Sequence, residues 1–411
     1  MEWQPAETLN WRRTLYASVA AQFLCAAGIS FAMPFLAYYL GDLGLKDPLA
    51  VRRWAGYMVA GPGFTMAIFA PLWGMLSDRY SRKMMVLRSM GGVVLIMALM
   101  GFVRTPGELL ALRVIQGALT GTITANMALV SSVTPAERTG YALGMLYAAA
   151  HAGNLAGPLA GGFIAEAVGY RAAFWLGSSV VFMAVLLILF YTPDVAATPA
   201  MGTGGKPAKH GGRGFRDLFG LSAFVLIIGV MFLVSFASNL ALPQFALFVR
   251  ELLGRQKDAA IITGAIMSLG GVAAVISTGA FSRLGDRVGH VRMLLLCTVG
   301  AGIFLALHAA AQEVWHLFVL RFLMGLMTAG ILPSANSLLR TVVGAADVGK
   351  AFGVAQSTRS LAVGLGGLAG GYLTAQFAGL TGFRVSFLAT GVLMLLIPFL
   401  VATRLRQRRT E

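Results

Sequence analysis

Long apolar runs, interrupted only briefly by charge, restrict this chain more than any other feature. A helix needs about 20 mostly apolar residues to cross a bilayer. Such runs are read near residues 14–40, 54–76, 84–103, 107–130, 139–165 and 170–191, then 219–249, 259–282, 291–311, 315–339, 350–377 and 382–402. With 57% hydrophobic and 12% charged residues in 411, and a mean hydropathy of +0.77, no sizeable soluble domain fits between them. Backbone groups in lipid must pair within their own segment, so the runs are expected to be helices. The expectation is an all-α membrane protein of twelve transmembrane helices, six in residues 1–191 and six in residues 218–411.

Residues 192–217 separate the two sets and include TPAMGTGGKPAKHGGRG, which has almost no bulky apolar residue. This composition suits a flexible linker. Trp11, Arg12 and Arg13 precede the first run and no small-residue cleavage site follows it, so it is read as a retained helix. Lys and Arg outside the spans fall about two to one on the side of the N-terminus, which places both termini and the linker in the cytoplasm. The net charge of +16 is scattered over short loops beside apolar helices. Its natural partner is an anionic lipid headgroup rather than nucleic acid. Cys25 and Cys297 both fall inside spans and read as small buried residues.

The two sets of spans repeat one another. LRVIQGALTG from Leu112 returns as LRFLMGLMTAG from Leu320, 208 positions on, and Asp78-Arg79 maps to Asp286-Arg287 at the same shift. LAGG ending at Gly162 returns ending at Gly371, and GYRAAF from Gly169 returns as GFRVSF from Gly382. Six spans separate equivalent points, so both sets share one orientation, a parallel repeat known among transporters.

The loop after the second span reads GMLSDRYSRK, Gly74 to Lys83, and its second copy is SRLGDRVGHVR. This resembles the major facilitator superfamily signature G-x-L-x-D-R-x-G-R-K, with Ser81 where the family has Gly. A carboxylate among cations can pair with neighbouring helix ends in one state and release them in another. Asp78, Arg79 and Arg82, with Asp286 and Arg287, are therefore candidates for a conformational latch, against the plainer reading that they only obey the charge bias of loops. The resemblance extends from GISFAMPFL to GFRVSF, and is nearest to the bacterial twelve-span drug:proton antiporters. It implies two six-helix bundles that alternate access to a central site.

In the fourth span Arg113, Gly117, Thr120 and Thr124 share one helical face. An intramembrane Arg normally faces a bundle interior or an aqueous cavity. LRVIQG resembles the superfamily's R-x-x-Q-G motif, which is linked to proton coupling. Arg321 and Thr328 repeat the pattern, which favours an architectural role equally. In the fifth span Gly153, Gly157, Pro158, Gly161 and Gly162 resemble the antiporter motif G-x-x-x-G-P-x-x-G-G. Glycines at intervals of four let another helix approach closely, and Pro158 can bend the span. The eleventh span has a similar glycine run without the proline, so plain packing is the alternative.

Opposite that stripe lie Tyr147, His151 and Asn154, candidates for substrate contact, and His151 is also a candidate proton carrier. Gln22, Asn239, Gln244, Asn336, Gln356 and Arg359 are further intramembrane candidates for substrate binding, with Arg113 and Thr120. Asn126 is also polar within a span, and some of these residues must serve helix packing. Every Asp and Glu can be placed in loops, tails or span ends, with Asp42 and Glu166 nearest the outer mouth. The first span carries Cys25 where some relatives carry an acid, so proton coupling rests on the resemblance. Three intramembrane arginines, Arg113, Arg321 and Arg359, without intramembrane acids favour neutral or anionic amphiphiles as cargo.

No nucleophile elbow, metal-ligand cluster or Gly-x4-Gly-Lys-Ser/Thr loop is present, so no enzyme, cofactor, metal site or ATP drive is expected. The leading reading is a proton-coupled exporter of small amphipathic compounds, monomeric, in the bacterial inner membrane. Its rivals are a transporter of a specific anionic metabolite or lipid-like anion, and a receptor or scaffold that does not transport.

Overall fold

The computed structural model describes residues 10–77, 80–195, 215–254, 257–344 and 347–407. Among them the chain forms twelve long helical spans. The first six are α1 (Trp11–Asp42), α2 (Pro48–Ser77), α3 (Arg82–Met100), α4 (Pro106–Val133), α5 (Thr139–Val168) and α6 (Tyr170–Tyr191). The second six are α7 (Ser222–Leu253), α8 (Ala259–Val288), α9 (His290–Ala310), α10 (Val314–Val343), α11 (Val348–Ala375) and α12 (Gly379–Gln407). Ten are long and apolar enough to cross a membrane unaided. The other two, α5 and α11, run 30 and 28 residues but are diluted by glycine. The chain is a multi-pass membrane protein, and each span read from the sequence corresponds to one of these helices.

The repeat reaches into the helix breaks. Pro34 tightens α1 into a 3-10 turn at Met33–Phe35, and Pro243 does the same to α7 at Leu242–Gln244. Proline lacks the N–H that would bond four residues back, and its ring clashes with that carbonyl, so an α-helix cannot run through unchanged. Likewise α4 is interrupted at Thr120-Gly121 and α10 at Ala329-Gly330. Gly121 has φ 136°, a conformation that a side chain resists. Thr124 therefore lies beyond a break and bonds back to Gly121 O, so the continuous polar stripe expected in this span is cut short.

The first set of six packs round one apolar core, the core of the second set also takes in Phe35, Ala37, Tyr38, Val51, Ala55 and Ala165 of the first, and the sets meet chiefly where α2 lies against α11 and α5 against α8. Glycine permits both contacts. A Cβ added at Gly56 would lie 2.5 Å from Gly367 O, one at Gly63 would lie 2.6 Å from Gly364 N, and one at Gly162 would lie 2.6 Å from Ala260 O. Polar bonds join the same end. Tyr38 Oη donates to Ala246 O at 2.5 Å and lies 3.0 Å from Thr263 Oγ1. Ser268 Oγ donates to Leu155 O at 2.6 Å, and Glu166 accepts from the Asp258 N–H at 3.0 Å. Toward the other ends of the same helices, a Cβ at Gly140, Gly144, Gly279, Gly349 or Gly353 would meet open space. The bundles therefore converge at the end that carries the α1–α2 and α7–α8 turns and diverge at the opposite end.

Candidate functional site

Two adjoining chambers lie where the bundles converge. One, about 340 Å³, is walled by α1, α2, α3, α4 and α11, and includes Arg113, Gln116, Thr120, Gln356, Arg359 and Ser360. The other, about 320 Å³, is walled by α1, α2, α4, α5, α7 and α8, and includes Ser30, Asn154, Asn239, Met58 and Met267. Met33, Val59 and Arg113 line both, so the guanidinium of Arg113 stands at their junction. Each chamber is of a size that takes a small organic molecule, with apolar walls and a few convergent polar groups.

Arg113 is held by its own surroundings. Its Nε donates to Met58 O at 2.9 Å, and Nη1 donates to Gln116 Oε1 at 2.5 Å and approaches Met33 Sδ at 3.1 Å. The next motif position, Gly117, lets α4 reach the α2 backbone at Pro62, a contact repeated by Gly325 against Gly270. Arg321, the counterpart of Arg113, lies over the Phe245 ring at 4.9 Å and touches Met324 Sδ. It lines neither chamber. Met324 stands where the first copy has Gln116, so only Arg113 gains a bidentate polar cradle beside the cavity. Neither lining contains Asp or Glu, so the fixed charge of the site is positive.

Several expected site residues gather here and others do not. Arg113, Thr120, Asn154, Asn239, Gln356 and Arg359 line the chambers. Tyr147, His151 and Asn154 are exposed along one face of α5, and Asn154 Oδ1 accepts from Ser30 Oγ at 2.9 Å. Gln22 is instead buried between α1 and α4, where its Oε1 accepts from Asn126 Nδ2 at 3.3 Å. Asn126 also donates to Ser18 O. Gln244 is wholly buried at the α7 break and donates to Arg52 O at 3.0 Å, and half-buried Asn336 lies away from both linings. Periodicity could not separate these roles, because an amide bonding a neighbouring helix and an amide facing a cavity have the same spacing.

Gly153, Gly157 and Gly161 face α1, where added Cβ atoms would strike Phe23, Ser30 and Phe31. Pro158 O and Gly162 face α8 instead, packing on Gly264 and Ala260. The motif thus serves two helices at once, one inside its bundle and one across the interface. The eleventh-span run is built alike: Gly366 and Gly370 face α7, while Gly367 and Gly371 face α2.

In the signature loop, Asp78 and Arg79 lie outside the described residues. Ser81 has φ −56°, ordinary for any residue, and caps α3 by accepting the Met84 N–H while donating to Asp194. The departure from the family's Gly therefore leaves the turn intact and adds a helix cap. Lys83 donates to Leu189 O at 2.7 Å and Thr192 O at 2.8 Å, binding the loop to the end of α6, while the Arg82 N–H donates to Val195 O. In the second copy Gly289 has φ 94° and is needed as glycine, and the exposed Asp286 pairs with His290 at 3.6 Å. Arg287, the other latch candidate of that copy, is exposed in the last turn of α8.

The Major Facilitator Superfamily profile matches residues 18–284 and again 227–411. The chain belongs to this superfamily. Multidrug resistance protein MdtG of Proteus mirabilis is 34% identical over 403 residues, covering 97% of this chain and 98% of that protein. MdtG of Citrobacter koseri is 33% identical over 409 residues, with 98% and 97% covered. Among solved structures, a bacterial homolog of the human lysosomal transporter Spinster, inward-facing and unoccupied, superposes with a TM-score of 0.75 at 14% identity over 96% of each chain. The human organic anion transporter TETRAN superposes with a TM-score of 0.69 at 19% identity over 97% of this chain and all of that one. The major facilitator fold accounts for the parallel repeat and the cavity between bundles, and the superfamily consists of transporters rather than enzymes.

Proposed function

We propose that this protein is a secondary active exporter of small amphipathic compounds, driven by proton antiport and working by alternating access. The carrying observation is the cavity between two bundles closed at one end by glycine-to-backbone contacts, in a chain that matches proteins named for multidrug resistance over nearly its full length. The bundles, residues 1–191 and 218–411, would rock as units about residues 192–217, with no ATP and as a monomer. With both termini in the cytoplasm of a bacterium and the protein in its inner membrane, the closed end faces outward and the described state opens inward.

Met33, Met58, Met66 and Met267 give the walls adaptable apolar surface, which suits varied ligands. Arg113 and Arg359 without a lining carboxylate select neutral or anionic amphiphiles over lipophilic cations. The same charge favours a second reading, exchange of a specific anionic metabolite. Proteoliposomes with an imposed pH gradient separate these readings when internal pH is followed during addition of anionic, neutral and cationic amphiphiles. Proton movement with several anionic and neutral compounds, lost in His151→Ala with binding retained, supports antiport through His151. Exchange of one anion without proton movement supports the second reading, and absence of any flux removes transport altogether.

A further inference from the structure

Arg52 lies near the start of α2, whose first turn is capped by Asp47 accepting from the Leu49 and Ala50 amides. A cation near the amide end of its own helix gains nothing from that helix's dipole. This one is nevertheless only 2% exposed, because it crosses to the other bundle. Nη1 donates to Thr374 O at 3.2 Å and Phe377 O at 2.7 Å, and Nη2 donates to Gly379 O at 2.9 Å. The guanidinium lies over the Phe383 ring at 4.2 Å. Thr374 lies in the last turn of α11 and Phe377 in the turn that follows, where helix carbonyls lack partners of their own and the dipole is negative, while Gly379 is the first residue of α12. The main-chain oxygen of Arg52 in turn accepts the buried amide of Gln244.

All of these partners sit in the second bundle, so opening this end breaks them together. A contact of opposite sign occupies the other interface, where Glu166 at the end of α5 accepts from the Asp258 amide at the start of α8. Each interface therefore matches a side chain's charge to the end of a helix in the facing bundle.

We infer that Arg52 is a positioning residue of the transport cycle, a clamp on the carbonyl end of α11 that sets the fraction of molecules closed at this end. Its consequence for flux rests on the transport reading, but its effect on conformation can be read without flux. The Arg fork reaches three carbonyls at once, whereas Lys offers a point charge that satisfies fewer of them in fixed geometry. Once the end opens, water replaces the carbonyls, so removing the clamp shifts the balance moderately, by about tenfold.

The test places spin labels on exposed Lys46 and Ala378, on opposite sides of the α2–α11 contact, in purified full-length protein and measures their distance distribution. Arg52→Met is expected to raise the ratio of long to short distances about tenfold, with Arg52→Lys between it and the parent. Phe383→Leu, which keeps the cation but removes the ring face, is expected to move the ratio the same way by a smaller factor, and serves if Arg52→Met does not fold. Substrate affinity measured on the inward-open side should fall as the long-distance population rises. A ratio within twofold of the parent in folded Arg52→Met, or in Phe383→Leu where the former cannot be purified, overturns the inference. Flux of the parent protein is recorded alongside. Its absence would count against the transport reading and leave the conformational result standing.

Discussion

Replacing Gly162 by Ala loads strain onto one conformational state rather than onto the whole protein. The added methyl would lie 2.6 Å from Ala260 O and 3.0 Å from Ile261 Cα, backbone atoms of the facing bundle that cannot rotate away. An ordinary contact is about 3.4 Å, so α5 and α8 must separate by roughly 0.8 Å at this level, and overpacking of this kind costs about 1–3 kcal/mol. The helix-propensity gain of Ala over Gly is present in both access states and cancels between them. The cost vanishes when this end opens, so the ratio of open to closed rises by about 5- to 150-fold. Gly153→Ala provides the contrast. Its methyl would lie 2.5 Å from Phe23 O inside one bundle, so it should lower thermal stability while leaving the ratio unchanged. Gly144→Ala, which meets open space, should do neither. Spin labels on exposed Ala167 and Lys257 read the opening, and heating the detergent-purified protein reads stability. An unchanged distance distribution in Gly162→Ala, or equal opening of this end in Gly153→Ala, would refute a strain confined to the closed state.

Arg113→Gln should weaken binding of anionic amphiphiles by about 10- to 100-fold and of neutral ones by less than about threefold. A charge pair near 4 Å at an effective dielectric of about 20 is worth roughly 4 kcal/mol before the open chamber's water is allowed for; equal losses for both classes in equilibrium binding would refute a charge-based role. Ser81→Ala should cost about 1 kcal/mol through the lost α3 cap, and Ser81→Gly only a few tenths, read as thermal midpoints. Equal midpoints for the two variants would remove the cap argument.

The fold was largely legible because lipid leaves few choices: each apolar run had to be a helix, and the motif shifts fixed the repeat. Glycine spacing also showed that α5 would be approached closely, although not that Gly161 and Gly162 would meet different helices. Arg52 was missed because it sits two residues before the expected start of its span and counted as a loop charge. Its signal is the carbonyl end of α11, which no local pattern in α2 reveals. Pro34 and Pro243, 209 positions apart, could have exposed the paired helix breaks, since proline at equivalent repeat positions implies a shared geometry. Gln22 and Gln244 looked equivalent to Gln356 by polarity and depth. Only packing shows that the first two bond across helices while the third lines the cavity.

Alternation of the two bundles is the central claim, and a reversible lock across α5 and α8 addresses it most directly. A Cβ at Gly271 would lie 3.2 Å from the Leu155 Cβ, within a few tenths of an ångström of disulfide geometry. The native Cys25 and Cys297 are both buried. In proteoliposomes carrying Leu155→Cys with Gly271→Cys, oxidation should abolish gradient-driven efflux while substrate binding persists, and reduction should restore it. Efflux at the parent rate from fully cross-linked protein would contradict the account.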